Sequence, residues 1–304
     1  MGNTLPAVTN KSVLVVMLLF FTQVHSHLTC QPLDPYPLNN QIIGSDNFLH
    51  GDANNLIGYN NVLQGSYNNI VGNDNLNVGN VNNIFGSGNT LQGNYNNVQG
   101  HLNTAVGSGN GIRGSVNGVA GNSNVIDNGF YNTVIGSNNG IRNGAGNTVV
   151  GNVNGIINGN FNTVVGTGNN VVNGNLNTVG GNKNTVVGSI NQVHGSQNVA
   201  VGTANLIAGN SNVAAGKQNV VVGNCNTAIG NRNGVAGVLN TVQGRENLVV
   251  GAQNVAVGNN NLVKGTQNAV QGNANTVSGG GNLVLGGNNV AISSNSKPDR
   301  QGRK

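Results

Sequence analysis

The sequence contains no tryptophan, only two cysteines, and charged side chains at just 6% of its positions. Aromatic residues make up 4%. That excludes a core of large interlocking side chains, and such a composition ordinarily signals low complexity or disorder. The net charge of +5 is weak, and four of the twelve basic residues (Lys297, Arg300, Arg303 and Lys304) lie near the C-terminus. A basic face interleaved with aromatics is missing, which argues against nucleic acid as a partner. The seven acids (Asp34, Asp46, Asp52, Asp74, Asp127, Glu246 and Asp299) are scattered. None pairs with another on one face, so the clustered acids of an enzymatic β-helix are lacking. Gly109-x-Gly111-x-x-Gly114 matches a dinucleotide fingerprint in form only, because it opens no helix. With no metal-ligand cluster and no calcium-binding nonapeptide, the expectation is a non-enzyme without cofactor or metal.

Long apolar runs are also absent. The longest, Val13 to Phe21, has nine residues, against about 20 needed to cross a bilayer. With Lys11 before it and Val24-His25-Ser26 after it, residues 1–26 read as a secretory signal cleaved before His27. The mature chain is expected to be secreted, extracellular and free of the membrane. Its one Asn-x-Ser/Thr acceptor, Asn10, falls inside the signal. Residues 27–43 hold Pro32, Pro35 and Pro37, which oppose ladder pairing. That segment is expected to cap the first coil of the repeat region that begins at Gly44. His27, left as the free N-terminal residue, has no clear second copper ligand.

Glycine and asparagine are what the chain does have. Gly accounts for 50 of the 304 residues. From Gly44 the chain repeats every seven residues as Gly-x-x-Asn-x-φ-x, with φ mostly Val, Ile, Leu or Ala. Thirty-five consecutive half-repeats keep both the Gly and the Asn. In x-φ-x the side chains alternate between the two sides of a strand, so φ points in and its neighbours point out. Gly suits a turn with positive φ, and Asn satisfies turn backbone or stacks into amide ladders. A strand and a turn every seven residues exclude a helix. Two half-repeats close one coil, and stacked coils share a core that none could bury alone. The fold class is therefore all-β: a β-solenoid, or β-roll, of about seventeen 14–15-residue coils with two parallel sheets, roughly 80 Å long at about 4.8 Å per coil. It occupies residues 44–292, and 293–304 form a basic flexible tail. Asn77 stands where φ belongs and is expected to be a weak point. Cys225 lies about thirteen coils beyond Gly44, or roughly 60 Å. The fourteen residues from Cys30 to Gly44 reach about 50 Å at most, so no Cys30–Cys225 bridge is expected.

Four spacings are eight rather than seven, with an extra residue at Asn128, Asn143, Asn158 and Asn173. Each enlarges the same corner, so four consecutive coils keep their faces aligned. Sorting the outward residues by side gives two unlike faces. One carries Thr90, Thr104, Thr133, Thr148, Thr163 and Thr178. Two residues further on it carries Val106, Ile135, Val150 and Val165. Charge is missing from this face between Thr90 and Gly180. The other side, over the same span, carries Gly, Asn, Arg113, Asp127 and Arg142. The Asn before each central Thr (Asn132, Asn147, Asn162 and Asn177) belongs to an internal ladder. The Thr/Val spacings, about 4.8 Å between coils and about 6.7 Å along a strand, are close to repeats of the ice lattice. A rigid lattice of this kind loses little entropy on binding a crystal. Thr and Val are also simply good strand residues, but that accounts for Thr anywhere rather than for its concentration on one face.

These NxVxG half-repeats behind a secretory signal resemble the ice-recrystallisation-inhibition (antifreeze) proteins of cold-hardy grasses, over residues 44–292. The resemblance implies a left-handed β-roll with internal Val and Asn ladders, secretion to the apoplast, and one flat face that adsorbs to ice. It implies an ice crystal surface as the partner of a monomer. Thr133, Thr148, Thr163 and Thr178, with Ile135, Val150 and Val165, match the family's Thr-x-Val ice-face positions. The outer coils depart from the pattern, replacing Thr with Leu, Val, Gln or Ala. The alternative is an adhesin-like or purely structural roll, since the heads of bacterial trimeric autotransporter adhesins use a similar 14-residue repeat. Those heads need a coiled-coil stalk and a membrane-anchoring barrel, and no such sequence is found here.

Overall fold

The computed structural model describes residues 40–293. The signal, Cys30, the prolines and the basic tail beyond Ser293 lie outside the described residues. Thirty-six short strands follow one another, from β1 (Gln41–Ile43) to β36 (Val290–Ile292). They stack alternately into two 18-stranded sheets. Every pairing between them is parallel, and each strand bonds the strand two further along the chain, as in Thr148↔Thr163 and Ile156↔Val171. Neither stack closes on itself: the strand Phe48–His50 at one end pairs with Val62–Gln64, and β36 at the other pairs with Thr276–Gly280. Two sheets of eighteen strands make eighteen coils, one more than expected. The extra strand is Gln41–Ile43, inside the segment assigned as a cap. No Gly precedes it, yet Asn40 already behaves as a ladder Asn, donating through Nδ2 to the carbonyl of Gly51 at 2.8 Å.

The core is one residue wide from each sheet. In each strand between Asn55 and Leu285 the second side chain is buried, while the residues on either side of it remain wholly or partly accessible. Leu56, Ile70, Val134, Val149, Val164 and Val249 are all fully buried. Burial of one such side chain contributes about 1.5–3 kcal/mol. The strands are too short to hold without this stacking.

Two asparagine ladders flank that aliphatic file, one at each corner. Asn162 shows the unit. Asn147 Oδ1 accepts from both the backbone N–H and Nδ2 of Asn162, at 2.9 and 3.0 Å. The same Nδ2 donates to the carbonyl of Gly174, one coil ahead, at 2.7 Å. An amide buried in a narrow core thus satisfies its own polar atoms and a turn carbonyl together. Asn132, Asn147 and Asn177 repeat the arrangement. Asn77 is the exception. It is fully buried in a φ position, and neither its Oδ1 nor its Nδ2 has a partner.

The turns explain the invariant glycine. Gly151 has φ +125°, and a Cβ there would overlap the carbonyl oxygen of Gly166 in the next coil. No side chain fits, whatever its chemistry. The enlarged corners use another solution. Asn128, Asn143, Asn158 and Asn173 take up the left-handed conformation, with φ between 50° and 53°. Gly144 behind Asn143 is then relieved of positive φ, but a Cβ on it would still meet Asn147 Nδ2 at 2.6 Å. The four inserted amides form an exposed ladder of their own, with Nδ2···Oδ1 distances of 3.2, 3.0 and 3.0 Å. Where the first enlarged coil meets its 14-residue neighbour, the register shifts between Ile112 and Gly114.

Candidate functional site

The expected site residues fall on one sheet, which also contains β36. The central strands are β14 (Thr133–Ser137), β16 (Thr148–Asn152), β18 (Thr163–Thr167) and β20 (Thr178–Asn182). Cα register pairs Thr133 with Thr148, Thr148 with Thr163, and Thr163 with Thr178. The column beside it pairs Ile135 with Val150, Val150 with Val165, and Val165 with Gly180. Four threonines and three β-branched aliphatics therefore form two straight files. All lie on the outer surface: Thr163 and Thr178 are exposed, Thr133 and Thr148 half-buried. Beneath them Val134, Val149, Val164 and Val179 fill the core file. Each strand here runs five residues, whereas the facing strands Gly140–Arg142, Gly155–Ile157 and Asn170–Val172 run three.

Thr104 and Thr90 also stack, but Gly118 separates them from Thr133 in the threonine file, with Ala120 beside it between Val106 and Ile135. The expected set is thus one continuous block of four coils plus a detached pair. Position on a strand paired on both sides holds these side chains in place: β-branched residues are stiff at χ1, and the ladder below fixes each backbone.

The facing sheet over the same coils is uneven. Gly111, Gly140 and Gly155 leave notches in one file. In the other, Asp127 lies between Arg113 and Arg142, with N···O distances of 3.6 and 3.7 Å. Shallow troughs lined by Gly111, Arg113, Val125 and Asp127, and by Gly140, Arg142 and Ile157, result from this. The remaining described ion pairs, Arg232–Glu246 at 2.9 Å and Arg245–Glu246 at 3.5 Å, sit on a corner far from the threonine block. The threonine files contain no charge.

Among the described residues no group of three or more His, Cys, Asp or Glu could hold a metal ion. Among them, too, no helix is long and apolar enough to cross a membrane. Cys225 is exposed on a turn. What the sheet offers between Thr133 and Thr178 is a rigid, uncharged two-file lattice of hydroxyl and methyl groups.

That surface on a Gly/Asn-laddered roll defines a class of protein, a repeat solenoid with a flat display face. A family model described as grass antifreeze beta roll matches residues 134–230 and 206–297. The chain belongs to the grass antifreeze β-roll family. A comparison with curated proteins gives no match.

Sorting the sequence by face located the threonine files, and the structure aligns them in register. On the facing sheet, regular files also run beyond the central coils, through Val213, Thr227, Thr241 and Val255.

Proposed function

We propose that this chain adsorbs to ice through the sheet bearing Thr133, Thr148, Thr163 and Thr178, and so inhibits ice recrystallisation. The observation that carries the reading is the unbroken register of four threonines beside Ile135, Val150 and Val165, with no charge in either file. Family membership supports it. Hydroxyl groups at about 4.8 Å spacing hold surface waters, while the methyl groups between them offer those waters no competing partner. The lattice is rigid before binding, so little conformational entropy is lost on contact with a crystal. Thr90, Thr104 and Val106 extend the contact beyond the Gly118 gap. The protein acts as a monomer, secreted and extracellular, in the apoplast if its source is a plant.

The test replaces Thr148 and Thr163 with Tyr. Both project from the surface, so the ladders below are untouched and the β-sheet signal should be unchanged. Microscopy of annealed ice should show fine, stable grains with the wild-type chain and coarsening with the double variant. Grains that stay as fine with the variant as with the wild type down to the same dilution would remove the assignment of this sheet.

A further inference from the structure

The two sheets exchange character about halfway along the solenoid. Up to Thr178 the regular files lie on the sheet containing β14 to β20, and the facing sheet carries glycine notches and the Arg113–Asp127–Arg142 cluster. Beyond Thr178 the order is reversed. On the facing sheet one file reads Thr185, Val199, Val213, Thr227, Thr241 and Val255, each in Cα register with the next. The file beside it reads Val187, Val201, Ala215, Ile229, Gln243 and Val257. Ten of these twelve positions are β-branched and none is charged. Over the same coils the sheet that bore the threonine block has three β-branched residues in twelve positions, and its files are broken by Gly234, His194 and Lys264. It also holds Leu206, Leu248 and Leu262, which lack the χ1 stiffness that fixes a surface lattice.

We infer that the facing sheet between Thr185 and Val257 is a second ice-adsorbing surface. The inference rests on the ice-binding reading of the first. The two surfaces share what that reading needs: two straight files, β-branched side chains, no charge, and backbone fixed by the same asparagine ladders. Exposure agrees too. Val201, Ile229 and Val255 are 41%, 45% and 42% accessible, beside 42% for Val165 in the first block. Adjacent hydroxyls occur where Thr227 pairs with Thr241. The longer run of Val gives this surface more methyl and less hydroxyl character than the first. It lies on the opposite side of the roll, so one molecule presents a lattice to two separate crystals.

Adsorption to single-crystal ice separates the two surfaces, using full-length chains fused to a fluorescent protein. Wild type should coat the ice. T148Y/T163Y should still coat it, at roughly tenfold higher protein concentration. Adding Thr227→Tyr and Thr241→Tyr should abolish coating while the β-sheet circular dichroism is retained. If the added tyrosines unfold the chain, Val201→Lys with Ile229→Lys on the T148Y/T163Y background serves the same purpose. Failure of T148Y/T163Y to coat at any concentration, or coating by the four-substitution variant, would overturn the second surface and leave the first standing. Wild type that stays in the liquid would remove both readings.

Discussion

Each asparagine of the ladder succeeds at the residue scale because it is surrounded by others. Asn162 closes three bonds only because Asn147 and Gly174 stand where they do. Asn77 has the same side chain in the wrong file and closes none. Its register neighbours are Leu63 and Leu91, so the surroundings suit an aliphatic group. Asn77→Leu should raise the unfolding free energy by about 1–3 kcal/mol, the cost of a buried unsatisfied amide. Denaturant unfolding checks this, and a less stable variant would show that an unseen partner satisfies Asn77. The turns hold the opposite lesson. Val116 and Ile190 adopt φ of 59° and 62°, a conformation β-branched residues avoid. Their N–H groups donate to His101 and Asn175 carbonyls of the preceding coil, both at 2.9 Å. The ladder of backbone bonds dictates the turn and overrides the preference of its occupant.

A coil is the natural element here, and the enlarged ones test how strictly coils must match. Asn158 lies inside a run of four equal insertions and bonds Asn143 and Asn173 through its amide. Deleting Asn158 alone leaves one short coil among long ones and breaks that ladder twice. The melting temperature should fall by roughly 5 °C for a loss of about 2 kcal/mol. Deleting all four inserted asparagines makes the stack uniform again, and most of the loss should be recovered. Equal melting of the single and fourfold deletions would mean that register between coils is not what the insertions serve. Much of this element was legible in the sequence. The seven-residue period gave the strands, the alternation gave the buried file, and four extra residues at one corner gave the aligned block from Thr133 to Thr178. Two things were hidden. Gln41–Ile43 lacks a leading Gly, so the period does not announce it; Asn40 reveals it through a bond to Gly51. The second pattern is at the turns, where at some coils the residue after the Gly accepts a bond across coils. Asn160 and Asn175 Oδ1 accept the backbone N–H of Ala145 and Asn160, both at 2.9 Å. Ser and Asn are common enough in any loop that their frequency there carries no signal.

Pairing along the whole molecule is local, since every strand bonds a neighbour 14 or 15 residues away in sequence. Stability then becomes a sum over coils and their interfaces, and long-range loop closure adds almost nothing to folding. The apolar run at Val13 to Phe21 belongs to a separate question, that of export. Expressed with its full sequence in a secreting host, the chain should be recovered from the medium beginning at His27. N-terminal sequencing settles that, and a product retaining Met1 inside the cell would refute it. The shared period also bears on heredity. Both sheets are written in the same seven-residue phrase, so outside the four enlarged coils the chain has no grammar that tells one side from the other. A slip of fourteen codons adds or removes a coil and leaves every later surface where it was. A slip of seven leaves the ladders equally intact, yet transposes everything downstream to the opposite side. Removal of residues 199–205 should thus yield a folded roll, by circular dichroism, on which Thr227 and Thr241 share a side with Thr178. Loss of the β-sheet signal would show that the two sheets are not interchangeable. Replication errors in this gene can rearrange a surface without redesigning a fold.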